Sequence, residues 1–175
     1  MLFLETKLSS AYVLEIEKKE DSRGFFARTW CKNELEAHGL CSSLLQANVG
    51  FSRTKGTLRG MHFQTDPCAE IKLVRCTMGT VYDVIVDLRV NSPTFKQWIS
   101  VELSADNHRM LYVPEGFAHG YQTLTENTEL FYLTSQLYSP KYASGVRYDD
   151  PAFKIHWPLE VTLISEADQK WPKLN

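Results

Sequence analysis

Arg59, His62 and Gln64 fall within one short stretch, TLRGMHFQ at 57–64, that otherwise reads as a β-strand. A strand that only builds a core has no use for that much polar chemistry. Other β-like segments carry one such residue each: Lys72, Asp83, His119 and Tyr132. Gathered at the mouth of a barrel, they would supply two imidazoles, a phenol, a lysine and cationic anchors, a set suited to acid–base chemistry. Strict alternation places Arg59 and His62 on opposite faces. Gly60 lies between them, and a glycine inside a strand predicts a bulge that re-aims its neighbours.

Each of these residues has a plainer alternative. A strand histidine can be a satisfied structural residue, Tyr132 in LFYLT can be core, and Lys72 can be solvated. Asp168 in SEADQ stands three residues after Ser165, the spacing of a capping box at a helix start. In VYDVIVDLRV, alternation puts Tyr82, Val84, Val86 and Leu88 on one face and Val81, Asp83, Ile85 and Asp87 on the other. The second face suits either a partly polar cavity, where each acid needs a partner, or solvent.

Metal binding is not expected. His62 and His119 could be ligands, but there is no His-x-His pair, and a competent site needs three or more clustered donors. No G-x-G-x-x-G or phosphate-binding Walker loop is present.

The elements that must position these residues are mostly strands. AYVLEIEKKE reads as a strand running into a turn built on Asp21 and Gly24. CKNELEAHGL predicts the main helix, with Leu35 apolar, Gly39 ending it and His38 near its C-terminal dipole. Eight short β segments follow between residues 43 and 138, rich in Val, Leu, Tyr and Phe and separated by Gly, Pro, Asn and Asp. That rhythm predicts a sandwich or small barrel. DDPAFKIHWPL is loop-like, and a brief helix is expected at SEADQK.

The length of 175 residues suits one domain over 1–175, and 43% hydrophobic residues can fill its core. A net charge of −2 leaves no footprint for nucleic acid or an anionic membrane. No apolar run is long enough to span a membrane. The opening MLFLETKLSS, with its early Glu5, does not read as a signal peptide. Cys31, Cys41, Cys68 and Cys76 lack C-x-x-C spacing, and free thiols in a cytoplasmic protein are expected.

Six motifs in order carry a resemblance: DSRGFF, TLRGMHFQ, KLVRCTMGTVYDVIVDLR, SPTF, LYVPEGFAHGYQTL and DDPAFKIHWP. Together they resemble the dTDP-4-dehydrorhamnose 3,5-epimerase family, nucleotide-sugar epimerases, from residue 20 to residue 170. The resemblance implies a mainly β, cupin-type jelly-roll barrel with a few short helices. It implies a homodimer in which the N-terminal strand of one subunit joins the partner, and no metal or organic cofactor.

The implied reaction is epimerisation at C3 and/or C5 of a nucleoside-diphosphate 4-keto-6-deoxyhexose, for deoxysugar or O-antigen biosynthesis. The C4 ketone acidifies the hydrogens on C3 and C5. By the resemblance, His62 is the base, oriented by Asp168. Tyr132 returns a proton from the opposite face, and Lys72 stabilises the enolate. His119, partnered by Asp83, shapes the site. The ring of Tyr138 packs on the sugar, Arg23 and Arg59 hold the diphosphate, Gln46 and Asn48 contact the nucleotide-sugar, and Phe26 lines the nucleotide pocket.

Three positions depart from the family pattern: Arg28 and Ala143 stand where glutamate is usual, and Ala167 where lysine or arginine is. All three belong to substrate binding in the family. They leave open CDP or GDP as the nucleotide and inversion at C3 or C5 alone. A 3,4-ketoisomerase and a non-catalytic sugar-binding cupin are the rival readings. Tyr132 beside His62 favours epimerisation, because inversion needs proton donors on both faces.

Overall fold

The structure is a computed structural model that describes residues 1–174. The chain opens with β1 (Leu2–Glu5), β2 (Tyr12–Glu15), β3 (Lys19–Asp21) and β4 (Gly24–Phe26), then helix α1 (Lys32–Ala37). Next come β5 (Gln46–Ser52), β6 (Thr57–Gln64), β7 (Lys72–Met78), β8 (Thr80–Asp87) and β9 (Trp98–Ser104). The rest is β10 (Met110–Val113), β11 (Phe117–Thr123), β12 (Thr128–Thr134), β13 (Ala143–Gly145), β14 (Leu163–Ile164) and helix α2 (Glu166–Gln169).

Two sheets carry the molecule. One runs β1-β2-β10-β7-β12-β5, and the other β13-β6-β11-β8-β9, with β14 added beside β6. The fold is mainly β and compatible with a jelly roll, as expected. Its strands form two open facing sheets.

Alternation decides what lies between them. Val74 and Cys76 of β7, Leu111 and Val113 of β10 and Leu130 of β12 meet Val81 and Ile85 of β8, Ile99 and Leu103 of β9 and Phe117 of β11. These side chains form one buried cluster, the core shared by the two sheets. Continuing the same parity along each strand puts Lys72, Tyr132, Asp83, His119 and Tyr121 on the inner faces too. The core fills one end of the sandwich, and polar residues of the same faces line the other.

Both outer faces are covered. Leu14, Leu73, Met110 and Tyr112 pack under Leu35 of α1 and Leu40. On the far side, Met61, Val84, Val86 and Ala118 pack under Val146 and Phe153, with Trp157 at the edge. Both faces of β8 are therefore buried, so the solvent-facing alternative for Asp83 and Asp87 does not hold. Asp87 lies away from the polar end, where its carboxylate accepts from Arg89 (2.7 Å to Nη2), Ser92 and Thr94. Burial works to raise its pKa, but these donors hold it down at about 2.

The helices match the sequence reading within a residue or two. In α1, Leu35 is buried, and the turn closes as Gly39 N–H donates to Glu36 O at 2.9 Å. His38 follows the last turn and stacks on Phe3 with ring centroids 3.8 Å apart. The turn at Asp21 forms as expected, Asp21 Oδ1 accepting from Arg23 N–H at 2.8 Å.

Two features differ from the sequence reading. The strand expected over AYVLEIEKKE is broken at residues 16–18, because Ile16 turns under α1 while Lys19–Asp21 pair only within the separate β3–β4 hairpin. The N-terminal residues also form a strand, β1, antiparallel to β2 at the sheet edge. Among the described residues no helix is long and apolar enough to cross a membrane.

Candidate active site

The opening stretch is β6, and its irregularity builds the site. β6 pairs antiparallel with β11, placing His62 opposite His119 and Arg59 opposite Tyr121. Two residues, Gly60 and Met61, thus face the single Gly120. This is the bulge predicted from Gly60, and it returns Arg59 and His62 to the same cavity.

Gly60 has φ +141, and a Cβ built there would lie 2.5 Å from Gly120 Cα. Only glycine fits, by space and by backbone conformation. Gly60→Ala is expected to destabilise the protein by about 1–3 kcal/mol through forced backbone movement, read as a lower urea midpoint.

On its other edge β6 is shared. β14 runs parallel to its first half, pairing Leu163 with Thr57 and Ile164 with Leu58. β13 pairs with its second half, from His62 to Gln64. Because α2 follows β14 directly, its side chains arrive at the bulge. Ser165 caps α2, its Oγ accepting from Asp168 N–H at 3.0 Å. Half of the capping box is therefore real.

The Asp168 carboxylate is used elsewhere. Its Oδ1 lies 2.6 Å from His62 Nε2, and its Oδ2 accepts from Gly60 N–H at 3.3 Å. Burial pushes the Asp168 pKa up, but the hydrogen bond and charge of His62, with the donors at Gly60 and Ser165, hold it below the usual range. An ionised Asp168 requires a proton on His62 Nε2. That leaves Nδ1 with the free lone pair, the state a general base needs.

The remaining expected residues come from the other strands. His119 Nε2 is 2.9 and 3.0 Å from the two oxygens of Asp83. Asp83 is fully buried, and burial raises its pKa against the pull of His119 and Lys72. Tyr132 enters from β12 of the facing sheet, so it and His62 stand on opposite walls of one cavity. Burial raises the Tyr132 pKa, the Glu70 carboxylate adds to this, and Arg59 opposes it. Lys72 Nζ donates to His62 O at 3.3 Å and pairs with Glu70 at 3.0 Å.

Arg59 is held by Ser52 Oγ (3.1 Å) and Phe51 O (2.9 Å). Gln46 Nε2 donates to Asn48 Oδ1 at 3.3 Å, and Gln46 Oε1 accepts from Tyr138 N–H at 2.9 Å. These side chains line a cavity of about 760 Å³, ample for a nucleotide-sugar head. Ala143 and Ala167, two of the three departures, also line it. Among the described residues no three His, Cys, Asp or Glu side chains converge as a metal cage.

Three expected residues do not line this cavity within the chain: Asp83, fully buried behind His119, and Arg23 and Phe26. Arg23 and Phe26 lie on the β3–β4 hairpin, with the Arg23 side chain 88% exposed and Phe26 71% exposed. Arg23 pairs with Asp21 at 2.6 Å. Among the described residues the hairpin pairs with neither main sheet, and none of its residues lines the cavity. Arg28, the third departure, pairs with Glu34 at 2.7 Å and does not line the cavity.

Conversely, the cavity contains Glu70, Tyr121 and Trp171, which the sequence reading did not single out. Glu70 was legible in principle, since it stands two residues before Lys72 and so shares its face. Tyr121 shares the face of His119 in the same way, and burial pushes its pKa up to about 12.

Comparison with known proteins bears directly on this architecture. A protein-family model described as dTDP-4-dehydrorhamnose 3,5-epimerase matches residues 5–175. A protein of that name from Sinorhizobium fredii is 40% identical over 175 residues, covering 99% of this chain and 90% of the relative. The crystal structure of a dTDP-4-dehydrorhamnose 3,5-epimerase from Bacillus anthracis with TDP and PPi bound superposes with a TM-score of 0.95. It is 45% identical and covers 99% of both chains. A Legionella pneumophila dTDP-6-deoxy-D-glucose-3,5-epimerase in complex with dTDP-4-keto-L-rhamnose gives a TM-score of 0.92 at 34% identity, covering 98% of this chain and 92% of that one. With the family model matched over residues 5–175, the resemblance first met in six short motifs extends from the end of β1 through every later strand: the chain belongs to the dTDP-4-dehydrorhamnose 3,5-epimerase family and is an isomerase acting on a nucleotide sugar.

Proposed function

We propose that this chain inverts C3 and C5 of a dTDP-linked 4-keto-6-deoxyhexose by moving protons next to the C4 ketone. The observation that supports this most directly is the His62–Asp168 pair on one cavity wall with Tyr132 on the wall opposite. The ketone is itself the electron sink, so each inversion needs only a base, an acid on the other face and a stabilised enolate. No cofactor is required for that chemistry.

His62 Nδ1 takes the proton from carbon, and the electron pair flows to the C4 oxygen. Asp168 holds the ring and stabilises the imidazolium. Lys72 faces the enolate oxygen. Tyr132 gives its phenolic proton to the opposite face of the carbon, which restores the ketone. The His119–Asp83 pair shapes the floor, the Tyr138 ring packs on the sugar, and Gln46 and Asn48 contact the nucleotide-sugar. Arg59 meets the diphosphate.

The working unit is a homodimer, in which the hairpin of one subunit brings Arg23 and Phe26 to the nucleotide end of its partner's cavity. Exposed Leu2, Leu4, Phe25, Phe26, Val49 and Phe51 support this, being apolar surface at the N-terminal edge, the hairpin and the β5 edge. The protein acts as one domain in the cytoplasm, where its four free thiols would persist, and supplies deoxysugar for O-antigen-type polysaccharide.

The test is a panel of dTDP-, CDP- and GDP-4-keto-6-deoxy sugars in deuterated water, with label read at each carbon. Label at C3 and C5 of the dTDP sugar, with inversion at both, is the expected result. Exchange on none of the sugars overturns the function. A strong preference for CDP or GDP overturns the nucleotide.

A further inference from the structure

We propose that Glu70 is a positioning residue for this reaction, fixing the Lys72 ammonium so that one N–H is left for a substrate oxygen. The inference rests on the function proposed above and deepens it at one residue.

Glu70 Oε1 lies 3.0 Å from Lys72 Nζ, and each side chain is only 10% exposed. Lys72 Nζ also donates to His62 O at 3.3 Å. An ammonium has three N–H donors on a flexible four-carbon stem. Two are taken by protein acceptors on known sides, which leaves one.

Glu70 is itself fixed from behind. Its Oε2 accepts from Gln64 Nε2 at 3.1 Å. The two N–H groups of this buried amide are shared among Glu70, Cys68 O at 3.1 Å and Leu137 O at 3.3 Å, while Gln64 Oε1 accepts from Ser139 N–H at 2.6 Å. Gln64 thus ties Glu70 to the segment that carries Tyr138. The glutamine of TLRGMHFQ, whose place beside Arg59 and His62 had no assigned task, orders the lysine through the glutamate. A bare surface ion pair would have neither this burial nor this second tier of hydrogen bonds.

The experiment is a double-mutant cycle on purified protein with dTDP-4-keto-6-deoxyglucose, using Glu70→Gln, Lys72→Ala and both together. Glu70→Gln is expected to lower kcat on the order of tenfold while KM stays within about twofold. In the Lys72→Ala background the same change is expected to alter kcat by less than about twofold, because the group it acts through is gone. Equal losses in both backgrounds, or no loss in the parent, overturn the proposal. If the amide variant melts early, Glu70→Ser goes through the same cycle and is judged the same way. The parent arm keeps the two ideas apart: a parent that exchanges no label on any sugar refutes the function, whereas an active parent with additive losses refutes only the task of Glu70.

Discussion

His62→Ala is expected to lower deuterium wash-in at both C3 and C5 by at least about a thousandfold, at the upper range for loss of a positioned acid–base group, with the fold retained. The His62 side chain is 45% exposed, so little packing is lost. Among the described residues the other histidine lining the cavity is His119, which sits on the neighbouring strand β11 and is held there through Nε2 by Asp83, away from the position His62 occupies on β6. Asp168 loses its main partner in this variant but keeps Gly60 N–H. Its pKa then moves up, because burial is no longer outweighed by the imidazole. Two measurements check this: label incorporation by mass at each carbon, and a thermal melt showing the fold intact. Wash-in that persists near the parent rate would remove His62 from the mechanism.

Tyr132→Phe is expected to have a different signature. Phenylalanine keeps the ring against the inter-sheet core, where Tyr132 is packed, and removes only the hydroxyl. Proton removal by His62 on the opposite wall continues, so label still enters at a reduced rate. Inversion at one carbon or both falls by about a hundredfold or more, because the donor on the second face is gone.

The pH dependence follows from the sign of the shift. The Tyr132 pKa is raised above its ordinary value of 10.0, first by burial and then by Glu70, with Arg59 opposing. The phenol therefore stays a proton donor throughout the neutral range. Inversion in the parent is lost only as pH climbs through that raised value, while exchange by His62 does not share this limb. Full inversion by Tyr132→Phe, or coincident alkaline limbs for exchange and inversion, would assign the second proton to another group.

Much of this site was legible from residue types. The bulge at Gly60 could be argued because strict alternation left Arg59 and His62 on opposite faces, and a glycine in a strand offers the remedy. Alternation along β8 put Asp83 and Asp87 on one face but left open whether that face met a cavity or solvent, and the second sheet decides it as an inner face. The capping box at Ser165 was right for the helix and silent on the carboxylate. One Asp168 oxygen reaches His62, 106 positions away, because β14 lies parallel to β6. Spacing along the chain contains no sign of that.

Arg23 and Phe26 mark the opposite limit. Their motif, DSRGFF, is one of the six that together carry the resemblance, yet within one chain their hairpin stands clear of the cavity. Nothing in the sequence marks Glu70 as more than a neighbour of Lys72, since an acid near a lysine along the chain is usually a solvated pair. Only burial and the amide of Gln64 distinguish it.

By itself, the sequence determined which residues could do chemistry and how alternation divides those of β6 and β8 between two faces. Both follow from local rules, side-chain type and a repeat of two along a strand. Only the tertiary structure decided that His62 meets Asp168, that Tyr132 stands across from it, and that Lys72 is held by Glu70. Those pairings depend on strand order and on which sheet faces which, and no local rule along the chain encodes a contact between segments that become neighbours only when the sheets close on their shared core.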